Sequence, residues 1–397
     1  MVRIGWGDDR CRSARIVTET IPFNRPHVTG EEFAYLADAV QRGHLSGDGH
    51  YTRECHELLA KLTSVSDVLL TTSCTHALEI AASLLDLEPG DEVILPSFTF
   101  VSTVNAFVLR GARPVFIDIR PDTLNIDEQL IEAAITAKTK AIVVVHYAGV
   151  GCEMAAITAI AAKHGIPVIE DNAHGLGARY RSQLLGTFGE LATQSFHETK
   201  NIQCGEGGAL LINAAGYVDR AEIIREKGTN RSQFFRGAVD KYTWVEVGSS
   251  YLPSDLLAAF LLAQLESFDG IQARRHHVWD TYDDELSVWA DERSIVRPTI
   301  PAHCEHPAHL YYLLLPDLEH RQRFIAHLRE RGVQSVFHYV PLHRSPKGLE
   351  LGGADAVCPV TEDVSDRLVR LPLFPDLSAG DLGRILEAVQ SFELTTA

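Results

Sequence analysis

The chain has 397 residues, 45% hydrophobic and 22% charged, which is the composition of a folded globular protein too long for one ordinary core. Its 36 Lys and Arg against 53 Asp and Glu give a net charge of −17, which argues against general affinity for nucleic acid or anionic membrane. The seven cysteines are scattered with no Cys-x-x-Cys pair, so neither a disulfide framework nor a metal site is indicated, and a reducing cytoplasm is the expected setting.

Residues 1–20, with Arg3, Asp8, Asp9, Arg10, Arg12 and Arg15, read as an N-terminal extension lacking a signal-peptide run. From about residue 66, short β-branched runs alternate with helical stretches. Val93-Ile94-Leu95, Val115-Phe116-Ile117, residues 142–145 and Val168-Ile169 read as buried strands, and residues 75–85 and 153–164 as helices between them. Gly165-Ile166-Pro167 stops the second helix. This alternation predicts a mostly parallel α/β sheet in a large domain spanning 21–255. Gln194-Ser195-Phe196 and residues 209–212 add two further strands, joined through the turn Gly205-Glu206-Gly207-Gly208.

Ser254-Asp255 is a plausible N-cap, followed by one long helix to about Glu285. Its most apolar part, 256–265, falls well short of the roughly 20 residues needed to cross a bilayer, and no membrane span is expected. A smaller α+β domain, 256–397, then offers a strand at 310–315, a helix at 321–331, a strand at 333–339 and a final helix at 379–392.

Chemistry concentrates where apolar strands end. Asp171, just past the strand 167–169, lies where ligands meet open α/β sheets, although a strand-end Asp also suits a turn. Lys200 follows a strand and precedes the glycine-rich turn. An ordinary lysine, with a pKa of about 10.4, needs burial or a neighbouring cation to act as a nucleophile near neutrality. Thr75 and His76 open a helix whose first amides form a natural phosphate seat. Gly149-Val150-Gly151 lacks the third glycine of a dinucleotide fingerprint, so an oxidoreductase is disfavoured.

Taken together, Glu170-Asp171-x-x-His174, the block from Ser195-Phe196 to Lys200, Ile21-Pro22-Phe23, Leu45-Ser46-Gly47, the block from Pro96 to Phe100, and Val340-Pro341-Leu342-His343 resemble the DegT/StrS-type sugar aminotransferases. These are fold type I pyridoxal phosphate enzymes. The resemblance implies Lys200 as the Schiff-base lysine and Asp171 as partner of the pyridine nitrogen. It further implies His174 at the ring oxygen, Phe100 on the ring face, and Thr75, His76 and Ser195 at the phosphate.

Many relatives carry Gly-x-Asn-x-Arg, whose Asn reaches the neighbouring subunit's phosphate, where this chain has Gly248-Ser249-Ser250-Tyr251-Leu252; the resemblance leaves two readings, a shorter hydroxyl contact from Ser250 or no contact there. The resemblance therefore implies a homodimer. Further blocks, among them Gly228-Thr229-Asn230-Arg231 and the stretch from Gly248 to Asp255, resemble transaminases that use L-glutamate to convert TDP-4-dehydro-6-deoxyglucose into TDP-4-amino-4,6-dideoxygalactose for surface polysaccharide such as enterobacterial common antigen. Arg231 and His343 are the candidate contacts for a nucleotide-linked keto-sugar. Alternatives are amination at C3 or with the opposite C4 configuration, and a non-catalytic regulatory relative.

Overall fold

A computed structural model describes residues 20–394, so nearly all of the expected N-terminal extension lies outside the described residues. Seven strands form the main sheet: β1 (Asp67–Thr71), β2 (Glu92–Pro96), β3 (Arg113–Ile117), β4 (Thr139–Val145), β5 (Val168–Asp171), β6 (Leu191–Ser195) and β7 (Gly208–Ile212). Their order is β1-β7-β6-β5-β4-β2-β3, and β7 alone runs against its neighbours. The sheet is thus mostly parallel, as the alternating pattern requires.

Period-two alternation sends successive side chains to opposite faces. Leu69, Val143, Leu210 and Ile212 join one core with helix α3 (Cys74–Leu84), which follows β1, and helix α4 (Val101–Val108), which follows β2. Val68, Leu70, Ala209 and Leu211 join another, beneath helices α1 (Glu31–Arg42) and α2 (His50–Thr63). Ile142, Val144 and Val168 pack a third, with helix Met154–His164.

The helix expected from Ser254 onward is two helices, α5 (Asp255–Glu266) and α6 (Phe268–Asp291), separated at Ser267, whose side chain makes no capping hydrogen bond to α6. The Ser254 hydroxyl does accept the Leu257 amide as an N-cap. Asp255 accepts from the Tyr51 and Thr52 amides, and α5 contributes Ala258, Ala259, Leu261, Leu262 and Leu265 to the core beneath α1 and α2. The change of core therefore falls inside α6, between Ile271 and Val278, rather than at 255.

The core of the smaller lobe gathers Trp279, Tyr282, Leu286 and Trp289 of α6 with strands β8 (Tyr311–Leu314) and β9 (Leu368–Leu371), helix α7 (Leu318–Glu330) and helix α8 (Ala379–Gln390). Residues 333–339 do not form the expected strand. Val333 bridges Ile21 and Val336 bridges Arg370, each as an isolated pair. Between the lobes lies a small core in which Phe98, Ile119 and Tyr147 meet Leu310, Tyr312, Leu314 and Leu368.

One buried cluster fixes the strand end beside the site. Both Glu170 and His146 are fully buried, and the Glu170 carboxylate accepts the amides of Gly186, Phe188 and Gly189 at 2.7–2.8 Å. His146 Nδ1 accepts the Cys152 amide, leaving its Nε2–H to donate to Glu170 at 2.9 Å. Removing the carboxylate would strand four donors in the interior. Glu170→Ala is accordingly expected to lower stability by about 3–5 kcal/mol, read from the denaturant midpoint of the apoprotein; a loss below about 1 kcal/mol would contradict this role.

Candidate active site

The carboxyl ends of the parallel strands lie level. Gly208 pairs with Thr71 on one side and Ser195 on the other, Thr193 pairs with Asp171, and Asp171 with Val145. Above this edge opens a cavity of about 440 Å³, bordered by Asp171, His174, Ser195 and Lys200 from the large lobe and by His338, Tyr339 and Arg370 from the other. This is the crevice where open α/β sheets bind ligands.

At one end, α3 begins. Ser73 caps it, its hydroxyl accepting the His76 amide at 3.1 Å. The amides of Cys74 and Thr75 have no intrahelical acceptor and remain available to an anion. Ser195 and Thr75 border the same cavity, and the Thr75 hydroxyl donates to Ser102 Oγ at 2.8 Å. His76 departs from its expected role: Ser73 occupies its amide, its ring pairs with the Thr72 hydroxyl and packs on Tyr251, and it does not line the cavity.

Asp171 ends β5 and is 6% exposed. Thr103 Oγ1 donates to its Oδ2 at 2.7 Å, and the Ala173 amide reaches Oδ1 at 3.2 Å. Because the Thr103 proton goes to the carboxylate, Thr99 is the donor in the Thr99–Thr103 contact of 2.9 Å. A short relay thus orients the acid. Thr103 was legible only as the residue one helical turn beyond Phe100.

Lys200 is half-buried and borders the cavity. Burial pulls its pKa down to about 8, against the opposing influence of Cys74 and Asp171, and Arg370 lowers it further. His174 Nδ1 accepts the Ala148 amide at 3.3 Å, so the remaining proton sits on Nε2. Its ring stacks on His309 with centroids 4.2 Å apart. Burial holds His174, His309 and His338 well below the ordinary histidine range, and they stand in the site as neutral rings. Phe100 precedes α4 and borders the cavity with 58% of its surface open.

Two expected substrate contacts are elsewhere. His343 is fully buried between Ser97 Oγ at 2.6 Å and Glu362 at 2.9 Å, both ring nitrogens engaged, and it ties the lobes together rather than meeting a ligand. Arg231 donates to Glu226 at 3.1 Å, lies over the Phe235 ring and is outside the cavity. Ser250 is exposed and also outside it, its backbone bridged to Glu226. Arg370, His309 and His338 were missed; the signal for Arg370 was a single charge within the apolar run Leu368-Val369-Arg370-Leu371.

The fold and this edge are those of an aminotransferase. A solved aminotransferase, TlmJ from Streptoalloteichus hindustanus, superposes with a TM-score of 0.86 at 29% identity, covering 94% of this chain and 98% of that one. The chain belongs to the DegT/DnrJ/EryC1/StrS aminotransferase family, whose pattern matches residues 26–390. It is also 32% identical to the uncharacterised protein MJ1066 of Methanocaldococcus jannaschii over 93% of this chain and 97% of that one. Spr1654 from Streptococcus pneumoniae, solved in pyridoxal phosphate and pyridoxamine phosphate forms, matches with 28% identity; the former has a TM-score of 0.85 and covers 94% and 98% of the two chains. The family depends on pyridoxal phosphate. The residues here fit that cofactor: helix-start amides, an oriented carboxylate and a half-buried lysine amine share one cavity.

The lowered Lys200 pKa has a kinetic consequence. Only the neutral amine attacks the cofactor's aldehyde, and its fraction rises about tenfold per pH unit below the pKa and levels off above it. Capture of pyridoxal phosphate by the apoprotein, followed by absorbance, should therefore accelerate with pH and level off above about 8. A rate still climbing towards the ordinary lysine value of about 10.4 would contradict the burial argument.

Proposed function

We propose that this aminotransferase moves the amino group of L-glutamate to C4 of TDP-4-dehydro-6-deoxy-D-glucose, forming TDP-4-amino-4,6-dideoxy-D-galactose for surface polysaccharide such as enterobacterial common antigen. The observation that carries the amine-transfer chemistry is the shared cavity of Lys200 and the Thr103-oriented Asp171. The choice of sugar rests on the sequence blocks around Lys200, Gly228 and Gly248.

Bound pyridoxal phosphate supplies an electron sink for the carbon that loses or gains nitrogen. Lys200 Nζ would anchor it. Its amine, when not holding the cofactor, would take a proton from the substrate carbon and return it, and a pKa lowered to about 8 suits both directions. Asp171, held by Thr103 and the Ala173 amide, would keep the ring nitrogen protonated. His174 would offer its Nε2–H to the ring oxygen, and Phe100 would cover a ring face. Ser195, Thr75 and the amides of Cys74 and Thr75 would receive the phosphate.

A homodimer completes the reading. Phe235, Tyr242 and Trp244 are 69%, 53% and 73% exposed in the segment leading to Ser250. A second copy covering that surface would bury these rings and let Ser250 serve the partner's phosphate end.

The decisive experiment incubates holoenzyme with L-glutamate and TDP-4-dehydro-6-deoxyglucose and assigns the product by NMR. An axial C4 amine is expected; an equatorial amine, or amination at C3, overturns the sugar assignment. Asp171→Asn should retain the cofactor yet lose about a hundredfold or more in kcat; turnover within a few-fold of the parent would remove Asp171 from the chemistry.

A further inference from the structure

We propose that His309, brought in by the smaller lobe, is a positioning residue for His174: its stacked ring fixes the plane and the single tautomer in which His174 presents a proton to the cofactor's ring oxygen. This rests on the cofactor reading of Lys200 and His174 but not on the identity of the sugar.

The two rings border one cavity and lie face to face, with centroids 4.2 Å apart and planes 26° apart. The other ring neighbours of His174 are looser, Tyr147 meeting it edge-on at 6.0 Å and His338 standing 6.4 Å away. The Ala148 amide reaches Nδ1 at 3.3 Å, a long bond that settles which nitrogen is bare but holds the ring at one point. A ring held in that way can still turn about the bond. The facing imidazole closes the side into which it would turn.

His309 is fixed more firmly. Asn201 Nδ2 donates to the Pro307 carbonyl at 2.7 Å and to Gln272 Oε1 at 3.0 Å, so its Oδ1 is the atom turned to His309 Nδ1, 2.8 Å away. An amide oxygen only accepts, and His309 therefore carries its proton on Nδ1. Arg275 Nε and Nη2 donate to the carbonyls of Ala308 and His309 at 3.1 and 2.6 Å. Ala308 sits at φ 49°, in the left-handed region, and such backbone persists only where its surroundings over-determine it. Ala148, the donor to His174, lies in the same region at φ 58°. The two corners are closely apposed, since a carbon on Gly149 would come within 2.3 Å of Pro307 Cδ and 2.7 Å of the His174 carbonyl oxygen. Strained backbone and buried donors thus converge on one ring contact.

Charge keeps the pair neutral. Both rings are buried, and the cations that face them are Lys200 and Arg370 of the cavity and Arg275 behind His309, while the cavity's Asp171 is engaged by Thr103. A proton on either ring would add another positive charge beside these groups. The pair stays as two neutral rings of opposite tautomer, Nε2–H on His174 and Nδ1–H on His309.

The test reads the tautomers directly. Nitrogen NMR of histidine-labelled apoprotein near neutral pH should show Nε2–H at His174 and Nδ1–H at His309, each assigned by its loss in His174→Ala or His309→Ala. In His309→Ala, His174 should become a mixture of tautomers. In holoenzyme, a donor at the ring oxygen competes for the lone pairs that hold the proton on the lysine-bound nitrogen, so losing it should raise the pH at which the visible band titrates. His309→Ala and His174→Ala should each raise that midpoint by about 0.5–1 pH unit, and the double variant no further than His174→Ala alone. His309→Phe, which keeps a ring against His174, should recover most of the shift. The proposal is overturned if unmodified apoprotein shows the other tautomer at either ring, or if His174 keeps a single tautomer in His309→Ala. It is equally overturned if the two midpoint shifts add in the double variant, or if His309→Phe shifts the midpoint as far as His309→Ala. A protein that forms no visible band with pyridoxal phosphate would fail at Lys200 instead, and the apoprotein spectra would still decide whether His309 fixes His174.

Discussion

A carbon placed on Gly208 would come within 2.4 Å of the Cys74 amide nitrogen and of the Ser73 carbonyl carbon, and the active edge is organised by that contact. Gly208 starts β7 in register with both Thr71 and Ser195, so its lack of a side chain lets the start of α3 settle directly on the sheet. The amides of Cys74 and Thr75, the Ser195 hydroxyl and, through the next strands, Asp171 then share one level. A side chain there would push the helix start away from the rest of the site.

Electrostatics reinforce this arrangement. The chain is strongly acidic, yet its cavity gathers Lys200 and Arg370 with the Thr103-engaged Asp171, Glu206 also standing at its border. The histidines add no charge, because burial keeps them neutral. In a chain of net negative charge, holding an anion at this cavity would depend on short-range, oriented donors rather than on the overall field.

The lobes are joined by polar as well as apolar contacts. Asp118, beyond β3, accepts the Val360 and Thr361 amides at 2.9 and 2.8 Å, and His343 links Ser97 to Glu362. Arg275, in the middle of α6, donates to the carbonyls of Ala308 and His309, and His309 in turn reaches Asn201, the neighbour of Lys200. Through these links the smaller lobe places His309, His338, Tyr339 and Arg370 against the large-lobe residues.

The sequence by itself located six of the seven strands of the main sheet, β2 to β7, because β-branched runs between helical stretches have few other solutions, and it grouped Lys200, Asp171, His174, Thr75, Ser195 and Phe100 through spacing and family pattern. It could not separate α5 from α6, since both carry helical periodicity across Ser267, and it read 333–339 as a strand although only Val333 and Val336 find bridging partners. Tertiary structure alone decided the fates of His343 and Arg231: a histidine or arginine in a loop looks the same whether it faces a ligand or a buried partner, and the partners Ser97, Glu362 and Glu226 are set by folding. It also decided the place of Arg370, because a charged residue in an apolar strand borders the cavity only once the lobes have packed.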